Sequence, residues 1–131
     1  MATRERPLSP HLQVYRKQVQ MMTSITHRIT GVMLAVGILG LVGALLALAA
    51  GPQRWAAFTA CAGSPLGLLV IFGFTWALAY HFINGVRHLL QDTGAGFAIP
   101  DFIRSSWISV FGSILLVVLG WAFVLMRWGQ V

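Results

Sequence analysis

Charged residues divide the chain into three long uncharged stretches. The first runs from Ile29 to Gln53, between Arg28 and Arg54. The second runs from Trp55 to Val86, between Arg54 and Arg87, and the third from Ser105 to Met126, between Arg104 and Arg127. Each is rich in Leu, Val, Ile, Ala and Gly and carries no polar face of the kind a water-facing helix needs. A helix crosses the hydrocarbon core with about 20 apolar residues, so each stretch holds one span. The second is longer than one crossing requires. Its front part, "WAAFTACAGSP", reads as a loop or interfacial segment, with Ser64-Pro65 starting the helix and Pro65 in the first turn, where a missing N–H costs little.

The pattern predicts helices at about 23–50, 65–92 and 103–128. Gly51-Pro52 ends the first, Thr93-Gly94-Ala95-Gly96 ends the second, and Pro100-Asp101 marks the start of the third. The expected fold class is an all-α membrane protein. A segment over 1–22 precedes a transmembrane domain over 23–131.

Composition agrees with the pattern. Of 131 residues, 57% are hydrophobic and 9% charged, against about 25% charged in soluble domains. The formal charge of +6 raises the question of nucleic acid, but the bases sit at the ends of apolar runs, where membrane orientation explains them better than phosphate binding does. Arg4, Arg6, Arg16, Lys17, Arg28, Arg87 and Arg104 fall on one side, and only Arg54 and Arg127 on the other. The N-terminus is therefore expected in the cytoplasm and the C-terminus outside, in the periplasm of a bacterial inner membrane. "ALA" at 47–49 resembles a signal-peptidase site, but the apolar run is longer than a signal core and two further spans follow. Cys61, the one cysteine, forms no disulfide within the chain and reads as a small apolar filler at a membrane edge.

Two polar groupings interrupt the apolar pattern. In "HFINGVRHLLQD" (81–92), His81, Gly85 and His88 share a helix face at i, i+4 and i+7. His81 lies about 16 Å inward of Asp92, near mid-membrane. Gly85 leaves room for something flat beside the helix, which suits an axial haem ligand; the competing reading of His81 is a hydrogen bond to a neighbouring helix. Arg87 reads as a snorkelling interfacial anchor or as a partner for an anionic group. In "SITHRITG" (24–31), Ser24, His27 and Arg28 lie close together at the start of the first span. A hydroxyl and a guanidinium there suit the carbonyl oxygens of an amphipathic ligand arriving from the lipid. The alternative is a polar helix start with Thr23 or Ser24 as cap. Trp76 and Trp121 sit deeper than an interfacial belt and are expected to pack internally or on a partner.

"RPLSPHLQVYR", "SITHRITG" and "HFINGVRHLLQD", in this order on a three-span chain, resemble the cytochrome b subunits of succinate dehydrogenase, membrane anchors of respiratory complex II. The likeness covers nearly the whole chain. It implies that the three helices pack with a second small anchor subunit into a bundle. It implies a b-type haem with His81 as one axial ligand and the other from that second subunit, and His27, Arg28, Arg87 and His88 in the vicinity of the haem propionates. It implies ubiquinone as substrate at Ser24 and Arg28, with electrons arriving through a flavoprotein subunit and an iron–sulfur subunit. The chain would not be catalytic alone. The rival readings are the anchor of a related fumarate reductase, a small proton-coupled transporter and a cofactor-free structural anchor. The transporter is disfavoured because Glu5, Asp92 and Asp101, the only acids, all lie at the edges.

Overall fold

The computed structural model describes residues 16–128. Most of "RPLSPHLQVYR", with Arg4 and Arg6, lies outside the described residues. Four helices follow one another: α1 (Val19–Ala49), α2 (Pro52–Ala62), α3 (Pro65–Asp92) and α4 (Ile99–Trp128). Of these, α1, α3 and α4 are long and apolar enough to cross a membrane. The described residues form an all-α membrane protein, as the pattern of charges predicts.

The second span has the predicted bounds. Ser64 caps it, its side chain accepting from the Gly67 N–H at 3.1 Å, and Pro65 occupies the first turn. The other two begin four residues earlier than expected. Neither Thr23 nor Ser24 caps α1: the cap is Gln18, and Thr23 turns its hydroxyl back onto the Gln20 carbonyl at 2.9 Å, inside the helix. Nothing between Val19 and Met22 breaks a helix, so the first turn extends outward. In α4, Pro100 falls within the first turn rather than before it, and Asp101 in that turn complements the helix dipole.

The segment expected as a loop or interfacial segment is helical. Gly51 takes φ +104°, which a side chain would resist, and Pro52 then starts α2. Ala-rich sequence carries the helix for 11 residues. None of its residues is buried, and at about 1.5 Å per residue it is too short to span, which is compatible with an interfacial element between the first two long helices.

The three long helices pack with their polar residues inward. Thr23 and Thr30 on α1, Asn84, Arg87 and Gln91 on α3, and Ser106, Ser109 and Ser113 on α4 are all buried. The serines recur every three or four residues and donate to carbonyls one turn back, Ser106 to Phe102 at 2.8 Å and Ser113 to Val110 at 2.8 Å. They thereby leave no unpaired hydroxyl and present a narrow face to α3. The large apolar residues, among them Leu39, Leu46, Leu69, Phe111 and Leu119, point outward. This reverses a soluble protein's distribution and matches lipid as the solvent. Trp121 packs on Phe72 and Trp76 on Tyr80, with ring centroids 5.7 and 5.5 Å apart, so both deep tryptophans find partners within the chain.

Candidate functional site: a histidine cluster between α1 and α3

His27, His81 and His88 converge where α1 crosses α3. The rings of His27 and His81 stack, their centroids 3.9 Å apart and their planes 12° apart, and His88 lies 5.1 Å from His27 at a tilt of 52°. Gly31 makes the approach feasible, because a Cβ there would stand 3.0 Å from His81 Cε1. The space beside Gly85, read from sequence as room for a flat group, holds the His27 ring: a Cβ on Gly85 would meet His27 Cε1 at 3.8 Å.

Backbone contacts fix the state of His81. Its Nδ1 lies 3.1 Å from the His27 carbonyl oxygen and 3.2 Å from Thr30 Oγ1. The Thr30 hydroxyl donates to that same carbonyl at 2.9 Å, so its proton is already committed. A carbonyl only accepts; Nδ1 therefore carries the ring proton and donates to both oxygens. Nε2 keeps its lone pair and has no hydrogen-bond partner among the described residues. An imidazole held by an Nδ1–H to backbone contact, with Nε2 open, has the arrangement of a metal-ligating histidine and its orienting neighbour. His27 Nδ1 is buried without a partner among the described residues, an orphan that a further acceptor or donor would satisfy.

His88 is held from the other side. Asn84 Oδ1 accepts from Arg87 Nη1 at 3.3 Å, which turns the amide Nδ2 toward His88 Nε2, also at 3.3 Å. Arg87 itself is directed to α4, where its Nε donates to Ser105 Oγ at 2.9 Å and the guanidinium lies over the Phe102 ring, 4.5 Å from its centroid. It is buried and does not snorkel. Of the sequence-derived residues, the fold thus joins His27, His81 and His88 directly and Arg87 through Asn84. Ser24 is half-buried and Arg28 exposed, on the outer side of α1.

Sequence reasoning missed Thr30, Tyr80 and Asn84. Tyr80 is buried and its hydroxyl donates to the Thr23 carbonyl at 3.1 Å, tying α3 to α1 just outside the cluster. Both Thr30 and Asn84 lie inside the quoted motifs, and a polar residue in an apolar span is itself the signal that would have found them.

The chain is also similar to known membrane subunits. The family model for the succinate dehydrogenase/fumarate reductase transmembrane subunit matches residues 2–120. The chain is 43% identical over 114 residues to the succinate dehydrogenase cytochrome b556 subunit of Paracoccus denitrificans, covering 87% of this chain and 88% of that protein. It is 38% identical over 117 residues to the corresponding subunit of Rickettsia prowazekii, covering 89% and 91%. Over 112 residues it is 37% identical to the mitochondrial cytochrome b560 subunit of Sus scrofa, covering 84% of this chain and 66% of that one.

Proposed function

Because the chain belongs to the succinate dehydrogenase/fumarate reductase transmembrane subunit family, we propose that it anchors a succinate:quinone oxidoreductase in the bacterial inner membrane, binds a b-type haem and helps form the site where ubiquinone is reduced. The observation that carries this reading is the state of His81, with Nδ1 donated to the His27 carbonyl and Nε2 left open.

The residues fit a haem. His81 Nε2 would hold the haem iron, and Arg28, His88 and His27, whose Nδ1 has no partner among the described residues, would bind its carboxylates. Arg87 would act there through Asn84, which orients His88. The other small anchor subunit would supply a second ligand. The haem would supply reversible one-electron chemistry near the quinone site. Ubiquinone would meet Ser24 and Arg28 at the outer side of α1. There the Ser24 hydroxyl donates to one quinone oxygen, and Arg28 holds positive charge beside an oxygen whose electron density rises on reduction. Electrons come from the iron–sulfur subunit, which a flavoprotein subunit feeds by oxidising succinate. The protons of the quinol come from the cytoplasmic side, where the N-terminus lies.

The test is a reduced-minus-oxidised optical spectrum of the tagged subunit, purified from its own membrane with its partners, beside His81→Ala. A b-type signal lost or shifted in the variant is expected. An unchanged spectrum would remove His81 as a ligand, and its Nδ1 contact would then be a helix–helix hydrogen bond only.

A further inference from the structure

Arg87 carries a permanent charge that is sealed in by the described residues. It is 6% exposed, and its Nη2 is enclosed without a partner among them. What the charge does is therefore decided by the side chains it touches. Ser105 donates its hydroxyl proton to the Phe102 carbonyl at 3.1 Å, which leaves its Oγ to accept from Arg87 Nε at 2.9 Å. Arg87 Nη1 in turn donates to Asn84 Oδ1 at 3.3 Å. Each proton along this line from α4 to α3 has one possible owner.

The consequence falls on His88. An amide side chain is ambiguous by itself, since its oxygen and nitrogen exchange places on a half-turn. Arg87 removes the ambiguity, because a guanidinium has only donors and so must face the amide oxygen. Asn84, at 0% exposure, then turns Nδ2 to His88 Nε2, 3.3 Å away. The amide nitrogen only donates, so Nε2 holds a lone pair and the proton of the neutral ring sits on Nδ1. That N–H is not spent on the neighbouring His27, whose Nδ1 has no partner among the described residues. A line of hydrogen bonds that starts from a charge also strengthens its last donor.

We propose that Asn84 is a positioning residue for the haem: it holds His88 in the Nδ1–H form, as a donor to a haem carboxylate, while Arg87 and Ser105 lock its amide. This rests on the haem reading above. A bare carboxylate favours the more positive, oxidised iron, and a hydrogen bond that draws off its charge favours the reduced one.

The complex, purified with its partner subunits, is titrated electrochemically while its b-type optical signal is followed. At a fixed applied potential Asn84→Leu is expected to lower the reduced-to-oxidised ratio by about threefold, a part of what one hydrogen bond to a charged group is worth, because only the difference between the two iron states is read. Asn84→Thr is the milder change. Its hydroxyl is expected to donate back along the helix, as Thr75 does to Ile71, and still to accept from Arg87. It loses only the donor to His88 and should give the same shift if the leucine variant fails to assemble. His88→Phe should lower the ratio at least as much, and adding Asn84→Thr to it should lower the ratio no further. Full haem content with an unmoved ratio in Asn84→Thr would overturn the proposal, as would a shift that persists undiminished without His88. A wild-type complex with no b-type signal would instead remove the haem reading itself, and this proposal with it.

Discussion

A single proton position decides what His81 is able to do. Thr30 and the His27 carbonyl together hold the Nδ1 proton, and no substitution in α3 alone would reveal that, because both partners come from α1. Arg28 is the contrasting case. It is exposed at the start of a span, and its charge has to meet headgroup, water or substrate. With the quinone role assigned to it, Arg28→Leu is expected to slow quinone reduction by roughly 10–100-fold, the worth of one charge-assisted hydrogen bond. Succinate-driven reduction of a soluble dye, which bypasses the membrane site, should stay normal. Equal rates with quinone in variant and wild type would dismiss the polarising role. The histidines themselves were legible from their spacing. Their stacking was not, because it depends on which face of α1 meets which face of α3, and periodicity within one helix carries no information about its neighbour's rotation.

At the level of helices, the crossing of α1 and α3 depends on Gly37. A Cβ placed there would fall within the Phe74 ring, so the two backbones approach only because that position has no side chain. Gly37→Ala is expected to destabilise the pair by about 1–3 kcal/mol, the usual cost of overpacking. It should lower the temperature at which the assembled complex dissociates, and Phe74→Leu in the same chain should restore much of the loss; a double variant no better than the single one would place the strain elsewhere. The bounds of α3 could be read because Ser64, Pro65 and Thr93-Gly94 mark both ends. The start of α1 could not, since the eye takes a polar Thr-Ser pair for a cap when Thr23 in fact bonds back within the helix. For α2, the Gly-Pro pair that stops one helix also starts the next, and only the sharp turn at Gly51 separates them.

For the molecule as a whole, three helices long and apolar enough to cross a membrane would put Val19 and Trp128 on opposite sides of it. The orientation proposed from the imbalance of bases would put α2 and its exposed Cys61 on the outer side. As the chain's one cysteine, it serves as a topology reporter. A membrane-impermeant maleimide should shift the tagged subunit on a gel when added to intact spheroplasts and leave it unshifted in inside-out vesicles. The reverse pattern would invert the assigned orientation. The number of spans, their order and their expected direction all follow from where nine basic and three acidic residues fall. The polar interior does not, because hydropathy averaged along a span hides the few Ser, Thr and Asn residues that turn inward.

The glycines carry a further consequence, one for how this sequence is free to drift. Positions 37 and 67 are closed to a methyl group by neighbours within the chain and position 31 is tight against His81, whereas a methyl at 40, 43, 73 or 120 meets nothing within 4 Å among the described residues. As far as this subunit alone is concerned, the second set is open to replacement and the first is not. Any resistance to alanine at the open set would have its source outside the described residues, so the pattern of tolerated change over Gly40 and Gly43 would outline the footprint of a neighbouring helix on the C-terminal half of α1.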